Sequence, residues 1–155
     1  MTPEQEESDL ADITTTITHR VRAECELLAA IMPDISASIV VAVGSGVSDK
    51  DFVNYDTLCI WRALRCASDF RLTAEQARLY TFDEAQRMLE EEFRWEESDM
   101  RPFVTGGLRW GPGPLRALID GVKNVDFDLV KRKVLALRDV DRRQRAIMKA
   151  MEDKK

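Results

Sequence analysis

The sequence predicts an all-α fold, a compact bundle of about six helices that ends in a long, partly projecting C-terminal helix. Apolar residues recur at helical spacing along most of the chain. Threonine capping signals precede two of these segments, and one long amphipathic segment closes the chain. The expected organisation is a flexible acidic arm over residues 1–19, a helical body over residues 20–122 and the long helix over residues 123–155.

Length and composition are typical of a soluble protein that folds without a cofactor. With 155 residues, of which 45% are hydrophobic and 33% charged, the chain can bury a core without a disulfide or a metal ion. No apolar run approaches the roughly 20 residues that span a bilayer, and the acidic N-terminus is unlike a signal peptide. We therefore expect a cytoplasmic location, no cofactor and no membrane partner.

The cysteines and the single histidine give no metal-binding pattern. Cys25, Cys59 and Cys66 each lie among apolar residues of a predicted helix, as reduced thiols in a core do. Cys59 and Cys66 share a helical face, but no nearby His or Cys pair completes a metal set. His19 precedes the first predicted helix, so we do not expect it to be a ligand or a catalytic base.

The first predicted helix runs from about Arg20 to Met32 and ends at Pro33. Residues 1–19 before it carry five acids by Asp12 and a threonine run with little periodicity, which predicts a mobile arm. Ile13 and Ile17 leave a backward extension of the helix open. One face of the predicted helix carries the apolar residues Val21, Leu27, Leu28 and Ile31.

The next segment, Ile35 to Val43, is ambiguous. Its β-branched residues favour a strand, and Gly44-Ser45-Gly46 would then follow it as a glycine loop. A dinucleotide-binding fingerprint or a P-loop needs further residues that this segment lacks. One strand cannot form a sheet alone, and no other segment is typical of a strand. We therefore predict a buried helix that ends at Gly44.

Capping signals define the helices in the middle of the chain. Ser48 with Asp51 three residues later is typical of an N-cap or turn, and an apolar helix follows from about Tyr55 to Ser68. Two capping boxes then begin at Thr73 and at Thr81. They predict a short helix to about Tyr80 and a longer one to about Trp95.

Residues 96–113 are predicted to form a loop, because prolines and glycines cluster there. Pro114 suits the first position of a helix that continues to about Gly121. Arg109, Gly111 and Gly113 could cradle an anion at the start of this helix. The favoured interpretation is a glycine-proline turn that packs Trp110 against the core.

The last predicted helix runs from about Asp126 to Met151, with one apolar stripe and most charges opposite. At about 1.5 Å per residue it is longer than the radius of a globule of this size, so the half beyond Arg142 is expected to project. A projecting apolar stripe favours a partner helix. The predicted partner-binding residues are Phe127, Val130, Val134, Leu137, Val140, Arg142, Arg143, Ile147, Met148 and Met151.

Charge is distributed unevenly along the chain. From Lys123 onward, 11 basic residues stand against six acidic ones, a balance of +5. Since the whole chain has a formal charge of −5, the rest carries −10. A basic segment on an acidic body is found both in nucleic-acid contacts and in solvated helices. Because the basic residues here are interleaved with aspartates, nucleic-acid binding by this helix is the weaker interpretation.

The order of several short motifs resembles a known family. Glu24 to Met32 has the form E-x-x-L-L-x-x-I-M, Ser48 to Phe52 the form S-x-x-D-F, and Ile60 to Leu64 the form I-W-x-A-L. Further segments follow in the same order as in the family: Asp83–Leu89, Gly106-Gly107, Leu115–Ile119 and Asn124–Val134. Together, across residues 20–151, they resemble the N-terminal domain of DnaB-type replicative helicases.

This resemblance implies a protein that binds other proteins and does no chemistry. The family's domain forms a collar on the helicase ring and offers surfaces to primase and to loaders, and its second segment is a helix, like the one predicted at Ile35–Gly44. The sequence contains no P-loop, and we expect it to supply only the first arm of the family's helical hairpin, without an ATPase domain. We therefore expect a freestanding module that binds or regulates a helicase, primase or loader, with homo-oligomers formed through the C-terminal helix.

Three alternatives were weighed against this expectation. A DNA-binding regulator could use Ala74–Leu79 and Asp83–Leu89 as a helix-turn-helix, but phosphates would repel the acidic residues on its second helix. An enzyme is disfavoured, because the sequence shows no Ser/His/Asp or Cys/His pattern. An all-α assembly protein with an unrelated partner remains the third alternative.

Overall fold

The computed structural model describes residues 2–53, 55–70, 72–92 and 114–153, and it is an all-α bundle with no β-strand in these ranges. Two short 3-10 turns, Met32–Asp34 and Asp49–Asp51, connect helices. The all-α class, the number of helices and the long last helix are as predicted from the sequence. In chain order the helices are α1 (Pro3–Ile31), α2 (Ile35–Gly44), α3 (Tyr55–Ser68), α4 (Ala74–Glu92), α5 (Pro114–Gly121) and α6 (Phe127–Asp153).

The first helix begins at Pro3, so the predicted start near Arg20 is wrong and the helix includes most of the segment expected to be a flexible arm. Thr2 is the N-cap, and its hydroxyl oxygen accepts a hydrogen bond from the backbone N–H of Gln5 at 3.2 Å. Pro3 occupies the first turn, and Glu4 and Glu6 complement the positive end of the helix dipole. These capping signals were present in the sequence, although the apolar periodicity was weak.

The valine-rich segment forms the helix α2, as predicted. Asp34 is its N-cap, and the side-chain oxygen of Asp34 accepts a hydrogen bond from the N–H of Ala37 at 3.2 Å. The helix ends after Gly44, as expected. Its buried residues recur at helical spacing, which shows how burial overrides the β-propensity of valine and isoleucine; they are Ile35, Ser38, Ile39 and Ala42.

The two helices predicted on either side of Thr81 are one continuous helix, α4. Thr73 forms the predicted capping box, because it exchanges hydrogen bonds with Gln76 at 3.1 and 3.2 Å. Thr81 does not cap a helix: it is fully buried, and its hydroxyl donates to the carbonyl oxygen of Ala77 at 2.7 Å. The helix-turn-helix considered for DNA binding is therefore not formed. The predicted end at Trp95 and the predicted loop over 96–113 lie outside the described residues.

The core lies where the second half of α1 meets α3. Side chains with no exposed surface come from both helices, and the first half of α6 covers one side of them. Cys25 and Cys59 are buried free thiols and Cys66 is half-buried, as expected. The fully buried residues in this region include Leu27, Leu28, Ile31, Ile60, Trp61 and Leu64.

One stretch is long and apolar enough to cross a membrane, which corrects the expectation that no apolar run approaches that length. It covers His19–Gly44, with a mean hydropathy of 2.0, and 56% of its most apolar window is buried inside the molecule. The stretch joins the end of α1 to α2 across the 3-10 turn at Met32–Asp34. Since core helices pass the same test, this is weak evidence for a membrane span.

Candidate functional site

The candidate site is the surface formed where α6 runs antiparallel to α1. Lys133 Nζ, in the first half of α6, donates to Glu26 Oε2 at 3.1 Å. Further along α6, Asp141 and Gln144 both bind Arg20, which lies earlier in α1. Residue numbers thus rise along one helix as they fall along the other, so the two helices run antiparallel, with the start of the second half of α6 beside Arg20.

The first half of α6 belongs to the core of the same molecule. Val130, Val134 and Leu137 are at most 3% exposed. Their prediction as partner-binding residues is therefore wrong, because the body of the chain, with α1 and α2 against this half of the helix, already covers that part of the stripe. Val140 is partly buried against the same core, whereas Phe127 at the start of the helix is 42% exposed.

The second half of α6 has the exposure expected of an interaction surface. Met148 is 55% exposed, and Ile147 and Met151 are half-buried. The side chains of Arg142 and Arg143 are 77% and 68% exposed. We call these five residues the distal face. They are the predicted partner-binding residues that remain at least partly accessible, and Met148 is the most exposed apolar residue among them.

A buried cluster around Arg20 fixes α6 against the body. Arg20 is 2% exposed, and its guanidinium donates to Glu24 Oε2 at 3.2 Å and to the backbone oxygen of Asp51 at 2.9 Å. The same group donates to Asp141 and, at 3.3 Å, to Gln144. Glu24, which has no exposed surface, also accepts a hydrogen bond from the Thr57 hydroxyl at 2.6 Å. We refer to these residues as the Arg20 cluster.

Sequence reasoning missed the Arg20 cluster. Arg20 and Glu24 are four residues apart on one helical face, and a charged pair at that spacing inside an otherwise apolar helix is a signal that could have been found. The bond to Asp141 joins residues 121 positions apart. Nothing local in the sequence identifies such a partner.

A second set of contacts joins α6 to the turn between α2 and α3. Arg138 donates to Asp51 Oδ1 at 2.9 Å and to the backbone oxygen of Gly46 at 2.8 Å. Gly46 has a φ of 92°, a backbone conformation that residues with a side chain rarely adopt. A Cβ atom at this position would lie 3.4 Å from the Arg138 guanidinium, so a larger residue would be strained there. Ser48 and Asp51 form the predicted capping box of this turn.

Two carboxylates of this region are held in their charged form. Burial alone would raise the pKa of Asp141, but hydrogen bonds and charge from Arg20 and Arg145 outweigh burial, so the pKa lies below its ordinary value. Burial also acts to raise the pKa of Glu26, and the hydrogen bonds from Arg22 and Lys133 again outweigh it and lower the pKa. Both groups therefore stabilise the packing of α1 and α6 most at neutral pH.

The described residues contain no arrangement typical of a catalytic or metal site. No three His, Cys, Asp or Glu side chains in these ranges lie close enough to hold a metal ion, and His19 is exposed. A pocket of about 350 Å³ lies between the 3-10 turn, α4 and the end of α5. Its polar side chains are Arg78, Asp120 and Lys123, which do not form a nucleophile and base pair.

Two of the short sequence motifs, Ser48–Phe52 and Ile60–Leu64, meet in the core. Phe52, the last residue of S-x-x-D-F, stacks on Trp61 with ring centroids 5.1 Å apart. Trp61 also donates its indole N–H to Asp49 Oδ1 at 3.1 Å. The chain matches no protein-family model, no curated protein and no solved structure.

Proposed function

We propose that the chain is a non-catalytic interaction module that binds a partner protein through the distal face of α6. The observation that carries this proposal is the 55% exposure of Met148 between half-buried Ile147 and Met151. Methionine adapts its shape to apolar partners, and exposed methionines are frequent on helix-binding surfaces. Ile147 and Met151 would be further apolar anchors of such a contact, and Arg142 and Arg143 would lie at its charged rim.

The length of α6 supports the same proposal. Leu137 is the last residue of α6 that is almost fully buried, and the helix continues to Asp153. Those 16 further residues extend roughly 24 Å at the usual rise of an α-helix. Apolar side chains continue along this extension, but they are only partly buried or exposed, as Val140, Ile147 and Met148 show. Without a partner, their burial would remain incomplete and would stabilise the protein less.

The proposed partner class is a replicative helicase, a primase or a helicase loader. It comes from the motif resemblance to the N-terminal domain of DnaB-type helicases. The all-α fold is compatible with that resemblance. The same distal face is also the proposed surface for homo-oligomers, in a cytoplasmic setting without a cofactor.

The test compares two exposed apolar residues of α6. Met148→Ala truncates the distal face, and Leu135→Ala is the matched control, since Leu135 is 67% exposed on the same helix but lies in its first half. Binding to purified helicase, primase and loader from the same organism is measured by interferometry. We expect Met148→Ala to weaken binding about tenfold, as loss of an interface anchor does, and Leu135→Ala to leave it unchanged.

Two results would contradict the proposal. One is the absence of binding to all three purified proteins at concentrations of about 100 μM, because an ordinary specific complex would form at that concentration. The other is equal binding by the wild type and Met148→Ala. Light scattering on the same variants tests the homo-oligomer, whose mass should fall toward that of one chain in Met148→Ala only.

A further inference from the structure

The basic residues of α6 fall into two groups with different surroundings. Lys133 and Arg138 point toward the body and are paired with Glu26 and Asp51 at 3.1 and 2.9 Å. The remaining cations lie on the solvent side. They are Lys131, Arg132, Arg142, Arg143, Arg145 and Lys149. The second group is the more exposed of the two and is therefore the more accessible to a partner.

Four of the solvent-side cations form one acid-free stretch. From Arg142 to Met151 the helix carries Arg142, Arg143, Arg145 and Lys149 and no acidic residue. The first three side chains are 77%, 68% and 80% exposed. Arg142 and Arg143 share the carboxylate of Asp139 at 3.8 and 3.0 Å, and Arg145 pairs with Asp141 at 2.9 Å. Since Asp141 also binds Arg20, these two carboxylates compensate the positive charge of the three arginines only in part. The same stretch contains all three apolar residues of the distal face.

We propose that the occupant of the distal face is an acidic amphipathic helix of a partner protein. This proposal rests on the proposed function and specifies the chemistry of its partner. Apolar side chains of such a helix would cover Ile147, Met148 and Met151, while its carboxylates would lie beside the four cations. Grooves that bind helices commonly combine an apolar floor with charges that set the orientation of the ligand.

The distal face fits an acidic protein better than a nucleic acid. Phosphate groups are bound by cationic and polar side chains, and an exposed methionine beside those side chains contributes nothing to the contact. The stretch from Arg142 to Met151 contains no aromatic residue on which a base could stack. The chain before Lys123 carries a formal charge of −10, which repels a polyanion approaching the body. A short acidic helix can bind the end of α6 without approaching that body.

The test uses three defined probes. The first is a labelled peptide of about 18 residues, five helical turns, with leucine at positions i, i+3, i+4 and i+7 and glutamate elsewhere. The second has lysine in place of every glutamate, and the third is a duplex DNA of similar length. Fluorescence anisotropy measures their binding to the full chain. We expect the glutamate peptide to bind about tenfold tighter than the lysine peptide, and to lose affinity as salt is raised.

Two double variants with the same charge change locate the effect on the helix. Arg142→Glu with Arg143→Glu alters the distal face, and Lys131→Glu with Arg132→Glu is the control on the first half of α6. All four side chains are exposed, so both variants are expected to unfold at the wild-type urea concentration. The distal variant should weaken glutamate-peptide binding about tenfold, because two surface attractions become repulsions, and the control should not.

Several outcomes would overturn the inference, and they separate it from the proposed function. Equal binding of the two peptides, or equal loss in both double variants, would show that charge on the distal face does not select the ligand. Duplex DNA binding that is tighter than peptide binding and is lost in the distal variant would assign the face to nucleic acid. If the purified replication partner loses affinity with Met148→Ala but not with Arg142→Glu and Arg143→Glu, the proposed function stands and this inference fails.

Discussion

Replacing Arg20 with methionine tests the principal contact that holds α6 against the body. The Arg20 side chain is 3% exposed and that of its neighbour Glu24 is 0% exposed. Methionine has a similar length and no charge, so the change leaves Glu24 as a buried carboxylate without its guanidinium. Removing one member of a buried ion pair usually costs about 3–5 kcal/mol. We expect the lower end, about 3 kcal/mol, because Glu24 keeps its hydrogen bond from Thr57.

The matched control lies two residues away on the same helix. Arg22 pairs with Glu26 at the same spacing of four residues, but its side chain is 72% exposed. Exposed helical pairs of this kind contribute about 0.2–0.5 kcal/mol, so Arg22→Met should have little effect. Comparing the two variants removes the shared effects of helix position and residue type. The difference then reports burial and the additional bonds of Arg20.

Urea unfolding followed by circular dichroism measures both variants. With a slope of about 2 kcal/mol per molar urea for a small domain, a loss of 3 kcal/mol lowers the midpoint by about 1.5 M. This is a large part of the roughly 5–15 kcal/mol by which a domain is stable. If the free energies of unfolding of Arg20→Met and Arg22→Met differ by less than about 1 kcal/mol, and the urea dependence of both is equal, the Arg20 guanidinium does not hold α6 as the geometry indicates.

Four further variants test other contacts of the protein. Folding lowers the pKa of Asp141. The charged carboxylate therefore stabilises the protein above the ordinary Asp pKa of about 4, and this stability is lost as the pH falls through the lowered pKa. We expect Asp141→Asn to be less stable than the wild type at pH 7 and to lose less stability as the pH is lowered. Thr73→Ala removes the capping box of α4 and should cost about 1 kcal/mol in urea unfolding, with a stability equal to the wild type counting against the cap. Met148→Ala should weaken partner binding while Leu135→Ala does not. The distal double variant should abolish the preference for an acidic peptide.

Local signals in the sequence were sufficient for most of the helices. Pro33, the Ser48 and Thr73 caps and Pro114 each lie at or next to a helix end. The start of α1 was misplaced because the assignment followed apolar periodicity, whereas Thr2 and Pro3 carried the relevant capping signal. Capping is a local property, so this error was avoidable.

The second type of error could not be avoided by local reasoning. The apolar stripe of α6 is uniform along its length in the sequence, yet Val134 is buried in the core and Met148 is exposed. The difference depends on where the body ends beside the helix, which is set by long-range packing. Thr81 shows the same limit: its capping-box pattern is intact, but the helix that begins at Thr73 simply continues through it.

The position of the Arg20 cluster explains how the second half of α6 keeps a fixed orientation relative to the body, although its apolar residues are only partly buried. Arg20 binds Asp141 and Gln144, one and two turns beyond Leu137, which is the last almost fully buried residue of α6. Apolar packing alone would tolerate rotation and sliding of α6, whereas a planar guanidinium with several acceptors accepts one geometry. Since buried ion pairs often add little net stability over apolar contacts, we interpret the cluster as fixing the register of α6. A fixed register keeps the 55% exposed side chain of Met148 in one position relative to the body.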